Sequence, residues 1–354
     1  MGRVSRALVL CCVLSALPAP LPAQRYAIEL IGVGELWKTD GGSRLLARNG
    51  GEVSPEATLY TLLTLRASPT LELFFMDELS YAERELGHEL ELAELRWRAR
   101  PELVLNAGRV LLPIGIFGQR HLPPVNPLIG DPDLYPPLYP WGAIASGSIG
   151  WFDYRAGILS LPAVNERYSP APSHRPRPAM GAGLTLSPAL RVGLSATHGP
   201  YLGESVASML PAGSTWHDFA QTVIAGDVRF GVGYLDMRAE AAWSSYEVPT
   251  HSERVNGIGA YIEAKVTIAP RLFAAARVEH FDYAFIQPVS PAFWVGTQTL
   301  QRNAEIGLGF LPGRRSMIKL SYRRDQWPGE PAPGAPAMPN GYAVAVQGVI
   351  RVGY

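Results

Sequence analysis

Sixteen runs of nine to fourteen residues alternate apolar with polar side chains between residues 26 and 354, and this limits the fold more than any other feature of the chain. The runs are 26–37, 57–67, 70–81, 88–99, 102–111, 142–150, 153–161, 179–187, 189–198, 218–230, 234–247, 255–268, 271–283, 299–311, 316–326 and 341–354. A period of two turns one side of a strand toward an apolar surface and the other toward a polar one. The links also alternate. Tight ones fall at Ser68-Pro69, Arg100-Pro101, Trp151-Phe152, Pro188, Gly231–Gly233, Ala269-Pro270 and Pro312–Arg315, and mostly longer ones lie between them. Strands of this length, joined by short turns at one end and longer loops at the other, are the signature of a transmembrane barrel. No segment beyond the first residues has eighteen consecutive apolar residues, so strands must do any spanning. The expectation is an all-β, antiparallel transmembrane barrel of about sixteen strands.

Arg3 and Arg6, the apolar run Ala7–Leu17 and the small residues ending at Ala23 read as a secretory signal peptide over 1–23, leaving 24–354 as the barrel. Both cysteines, Cys11 and Cys12, lie in that leader. Leu10 before them argues against lipidation, and the mature chain would have no thiol. Without Arg3 and Arg6 the balance is 29 basic to 31 acidic residues, which offers no field that would attract nucleic acid.

Leu112–Trp141 stands apart. It carries eight prolines among Ile114, Ile116, Phe117, Leu122, Ile129, Tyr135, Tyr139 and Trp141, so it is neither strand nor helix, yet it is too apolar to be a solvated tail. A loop of this kind between two strands is expected to fold into the bore, and it is the third and longest external link. Its charged or titratable residues, Arg120, His121, Asp131 and Asp133, are expected to set the field at a constriction.

Aromatic residues near strand ends (Trp37, Trp97, Trp151, Tyr154, Trp243, Tyr246, Tyr261, Tyr283 and Tyr342) are expected to form interfacial girdles. In His88–Ala99 the apolar phase changes near Leu92, which predicts a β-bulge there. The last run places Tyr342, Val344, Val346, Gly348, Ile350, Val352 and Tyr354 on one face and Gln347 on the other. A strand ending on an aromatic residue resembles the signal read by the outer-membrane barrel assembly machinery.

This architecture resembles the sixteen-stranded porins of Gram-negative outer membranes, in which the third external loop narrows the bore. Gly108-Arg-Val-Leu-Leu-Pro-Ile-Gly115 and the hairpin Ala143–Leu161 resemble the phosphate-selective porin O and P family, although a lysine-rich lining is missing. The resemblance implies an outer-membrane location, surrounding lipid, and trimers, the family's habit. Taking the polar phase as lumen-facing gives Glu94, Arg96, Arg98, Arg229, Asp236, Arg238, Glu240, Glu263, Lys265, Arg277 and Glu279 as pore-lining residues. The two signs are balanced, which suits a wide, water-filled bore.

The seven histidines show no metal-ligand spacing, and Asp131-Pro132-Asp133 offers too few oxygens for calcium. Ser195 and His198 point to opposite faces of one strand, and no GxSxG elbow occurs. The sequence therefore leads to a passive diffusion channel for small hydrophilic solutes or ions, with no cofactor, metal or chemical step. The alternatives are a plugged barrel that binds a partner through its loops, and an outer-membrane hydrolase.

Overall fold

The computed structural model describes residues 26–42, 48–134, 139–160, 175–328 and 340–353. The proposed leader, Tyr135, His174 and Tyr354 lie outside them. Sixteen strands form: β1 (Tyr26–Thr39), β2 (Ser54–Arg66), β3 (Leu71–Ala82), β4 (Glu85–Arg100), β5 (Leu103–Arg109), β6 (Trp141–Ile149), β7 (Phe152–Ser160) and β8 (Pro176–Ser187), followed by β9 (Leu190–Pro200), β10 (Ala220–Val232), β11 (Leu235–Tyr246), β12 (Val255–Ala269), β13 (Leu272–Ser290), β14 (Phe293–Gly313), β15 (Ser316–Gln326) and β16 (Gly341–Gly353). Each pairs with its neighbours in sequence, and β1 pairs antiparallel with β16, so the sheet closes into a barrel with no free edge. The termini and the seven short turns share one end, the turn end. The other is the loop end.

The period of two decides what faces out. Ile306, Leu308 and Phe310 on β14, Leu320 and Tyr322 on β15, and Val344, Val346 and Ile350 on β16 are exposed on the outer wall. The alternate residues Glu305, Lys319, Ser321 and Gln347 are buried inside. Gln347 faces the lumen as its phase predicts, donating through Nε2 to Glu35.

The expected bulge is present. Met76 pairs with Leu92 but Asp77 pairs with Leu90, so Glu91 is the extra residue, and Glu91 and Leu92 are both buried. Two expectations change. The link expected over 284–298 is instead strand, since β13 and β14 continue their pairing to Ser290 opposite Phe293, well past the last rung with β12 at Ile258–Asp282. The girdle is also smaller than expected. Trp97, Trp151, Trp243 and Tyr342 are exposed, but Trp37, Tyr246, Tyr261 and Tyr283 are buried. These four meet other protein groups. Trp37 packs with Ile129 and Ala343, Tyr246 with Tyr201, and Tyr261 with Tyr283 among the bore's apolar residues.

The apolar core of this barrel lies within it. Val110, Leu112, Ile114, Phe117 and Leu134 from the third loop pack with wall residues Ile144, Leu159, Val223, Ala225, Tyr261, Phe281 and Tyr283. Across the bore, Ile129 packs with Trp37, Ala343 and Ala345, and Leu122 joins Ile31, Val33, Val349, Tyr60, Leu62 and Met317.

Candidate functional site: the loop-filled bore

A chain segment without secondary structure carries backbone N–H and C=O groups that must find partners when buried. The loop between β5 and β6 finds them on the charged wall. Carboxylates accept its N–H groups: Ile116 N donates to Glu240 (2.8 Å), Ile129 N and Gly130 N to Glu305 (3.2 and 3.0 Å), and Asp133 N to Glu279 (3.0 Å). Cations donate to its carbonyls. Lys319 Nζ reaches the oxygens of Pro123, Asn126 and Leu128 at 3.0, 3.0 and 2.8 Å. Arg155 reaches Gly115 (2.7 Å), Arg277 reaches Gly130 (2.9 Å) and Arg323 reaches Asp131 (3.1 Å). Hydrogen bonds of this kind, with one ionised partner, are stronger than neutral ones. Ser195 Oγ accepts from Gly115 N at 3.1 Å.

Of the four loop residues expected to set a pore field, Arg120 and Asp133 are instead tied to the wall, while His121 and Asp131 make their hydrogen bonds within the loop. Arg120 is 4% exposed and pairs with Glu263 at 2.7 Å. His121 donates from Nδ1 to the Gly118 carbonyl (2.7 Å), shares a hydrogen bond between Nε2 and the Tyr139 hydroxyl (2.8 Å) and lies 3.7 Å from Glu91. Asp131 accepts from Asn126 Nδ2 at 3.0 Å, and Asp133 pairs with Arg323 at 2.6 Å. Asp131 stays open to the bore on one side, and the protein crowded around it pushes its carboxyl up to about 6, against the pull of His121, Arg277 and Lys319. Burial also opposes charging His121, but Glu91 and the Gly118 carbonyl outweigh it and hold the imidazole above its ordinary value.

The expected pore-lining residues divide into two groups. Glu240, Glu263, Arg277 and Glu279 are buried against the loop, with Arg277 bridging Glu263 (3.3 Å), Glu279 and Glu305 (2.8 Å). Glu240 also receives the Tyr261 hydroxyl. The rest lie toward the turn end. Glu94 pairs with Arg96, whose guanidinium stands 3.9 Å from the Phe74 ring centroid, and Arg98 pairs with Glu72 at 2.8 Å. Asp236 pairs with Arg238 at 2.9 Å. Lys265 stands 4.5 Å over the Phe273 ring, and Arg229 is exposed. Glu91, Ser195 and Tyr261 belong to the site although no sequence pattern placed them there. Only the shift in phase near Leu92 hinted at the first.

The expectation of a wide, water-filled bore is therefore corrected. The charges that would line it are used to satisfy a loop whose apolar side chains pack on both walls. Among the described residues, no group of three or more His, Cys, Asp or Glu could hold a metal ion.

No protein-family model matches the chain, and no curated protein matches it in sequence. Its fold resembles solved structures of OmpT, an outer membrane protein of Vibrio cholerae. The outer-membrane-expressed form gives a TM-score of 0.59 at 9% identity, covering 94% of this chain and 100% of that one. The loop L8 deletion mutant gives 0.57 at 8% over 93% and 100%, and the in-vitro folded trimer form gives 0.57 at 9% over 92% and 99%. Identity this low shows the fold alone. The expected passive diffusion channel is corrected: the solved structures that the chain resembles are described as outer membrane proteins, and the third loop packed in the bore takes the place of the open path that such a channel needs. The likeness to phosphate-selective porins gains no support from them either. The chain is a closed, sixteen-stranded outer-membrane β-barrel.

Proposed function

We propose that this barrel is plugged by its own third loop and works by binding a partner at its loop end, without a chemical step. The supporting observation is the anchoring of Leu112–Trp141. Lys319 alone holds three of its carbonyls, at 2.8 to 3.0 Å. The cations at the seam between loop and wall are dry, with Arg120 4% and Arg277 1% exposed.

The loops at the loop end are held in a fixed shape by a buried apolar cluster. Tyr201, Leu202, Val206 and Leu210 from the β9–β10 link pack with Tyr246, Val248, Ile286 and Trp294. Trp294 Nε1 donates to the Met209 carbonyl (2.8 Å), its backbone N to Thr250 Oγ1 (3.0 Å), and Tyr201 OH to the Glu247 carbonyl (3.0 Å). In this reading the loop end faces outward and the turn end faces the periplasm. Lipid covers the outer wall, and the assembly machinery reads the last strand.

Planar-bilayer recordings on refolded protein test the plug. The wild type should stay closed, and a variant shortened between Gly118 and Gly130 should conduct with its strands intact, because no ladder hydrogen bond is removed. Steady conductance by the wild type would overturn the reading.

A further inference from the structure

Closure leaves no edge where the sixteen strands run side by side, but at the loop end the β3–β4 hairpin outgrows its neighbour β5. The last rung between β4 and β5 joins Ala93 to Arg109, whereas β3 and β4 stay paired beyond it to Ala82 and Glu85. On the other side β2 backs β3 as far as the Ala57–Tyr81 rung. The open edge therefore belongs to β4. The turn, Glu83-Arg84, has φ values of 51° and 69°, as in the two-residue primed turns that keep a hairpin's twist and register to its end. Such a turn closes on a hydrogen-bonded pair, here Ala82 and Glu85, and bonded pairs recur at every second residue. Gly87 and Glu89 thus bond to β3. The N–H and C=O groups of Leu86, His88 and Leu90 point to the open side, where no backbone group among the described residues meets them. Residues 85–89 are exposed in both phases, so this part of β4 stands in solvent.

The two faces of the hairpin differ. Leu79, Tyr81 and Leu86 are exposed on one, and Glu78, Glu85 and Glu89 share the other. From Asp77 to Leu90 the chain carries five carboxylates against one arginine. His88 meets Asp77 at 2.8 Å and Arg109 meets Glu89 at 2.5 Å, while Glu85 has no cationic partner among the described residues. On the reading that a partner binds at the loop end, we propose that this edge takes up an extended segment of a partner protein as an added strand. Basic and apolar residues alternate in that segment, the basic ones beside Glu85 and Glu89 and the apolar ones beside Leu86 and Leu90. In strand addition, main-chain hydrogen bonds supply affinity and alternate side chains supply specificity. A second copy of this chain fits less well, because joining edge to edge sets carboxylates against carboxylates, and like charges directly opposite are destabilising.

Fluorescence anisotropy tests it on the full-length protein refolded into nonionic detergent micelles. The probe is a labelled, end-blocked hexapeptide of alternating lysine and valine, matched in length to residues 85–90. Saturable one-site binding is expected, and the same peptide with glutamate in place of lysine should not bind. Leu86→Pro removes one edge donor but no rung with β3, and should weaken binding about tenfold, as Glu85→Gln should by removing the unpaired carboxylate. Glu204→Gln, on the β9–β10 link at the same end, should leave it unchanged. Bound probe should also slow amide exchange at Leu86, His88 and Leu90 and leave Gly87 and Glu89, already bonded to β3, as they were. Absence of saturable binding would overturn the proposal, as would equal weakening by Glu204→Gln or binding that leaves those three amides unprotected. Planar-bilayer conductance reads the plug and not the hairpin, so a wild type that stays closed but ignores the probe overturns this inference and leaves the plugged barrel standing.

Discussion

At the scale of single residues, charged side chains of the wall serve the buried backbone of the third loop. Arg277 stands among Glu263, Glu279 and Glu305. Removing one partner from such a group leaves uncompensated charge, so Arg277→Met should destabilise the barrel by about 3–5 kcal/mol in denaturant titrations. Lys319→Met orphans three carbonyls at the cost of about 1–3 kcal/mol each before relaxation, and should speed proteolysis within the loop. Asp131 supplies a pH dependence. Its folded pKa of about 6 lies above the ordinary carboxylate value, so the folded state holds its proton more tightly than the unfolded chain. Its stabilising contribution is therefore complete below the ordinary value and is lost as pH rises through about 6. Asp131→Asn should flatten that part of the melting temperature's pH profile, and an unchanged slope would contradict the assignment. Little of this was legible in the sequence. The two phases of a strand show which side chains point inward, but not what they meet. Ile116 and Glu240 are 124 residues apart, and Lys319 and Pro123 are 196 apart. Tyr261 was misread as a girdle residue because its strand shows an aromatic ring but not the carboxylate that its hydroxyl meets.

At the scale of elements, the strands were legible because their pattern is local. β15 matches the expected 316–326, and the phase shift near Leu92 gave the bulge in β4. β13 and β14 were read short because their outer ends do not alternate in exposure. Ala284, Phe285 and Ile286 are all buried, with loops on one face and the bore on the other. The same hairpin holds a close contact near its turn end. Phe273 is opposite Gly309, and a Cβ at Gly309 would come 1.9 Å from the Phe273 ring. Gly309→Ala should therefore displace the ring and cost about 1–3 kcal/mol, while Gly34→Ala, with nothing near its Cβ, should be close to neutral. Equal melting temperatures for the two variants would mean that the ring does not lie over Gly309.

At the scale of the whole molecule, closure, strand number and the inward fold of the third loop could be read from the sequence, but how fully that loop occupies the bore could not, because it depends on how a proline-rich segment meets wall residues far away in sequence. Strand parity fixes which links share a face. A protease site placed between Asp40 and Gly42 should be cut on intact cells and one at Ser187–Ala189 should not, and the reverse pattern would invert the barrel. The seating of the third loop on the inner wall has a more direct test in a chain whose only cysteines are Cys11 and Cys12. Leu134 lies in the loop, and a Cβ added at Gly259 on β12 would come 2.5 Å from its Cδ1. Because Leu Cδ1 lies two bonds from its own Cβ, the two Cβ atoms are at most about 5 Å apart, close to the roughly 3.5–4.5 Å that a disulfide spans. The Leu134→Cys/Gly259→Cys protein, refolded and mildly oxidised, should form an internal disulfide visible as a shift in non-reducing gel mobility. The control pair Leu134→Cys/Arg66→Cys, with its second thiol on β2 at the turn end, should not. Absence of the first crosslink, or equal crosslinking of both pairs, would contradict the seated loop.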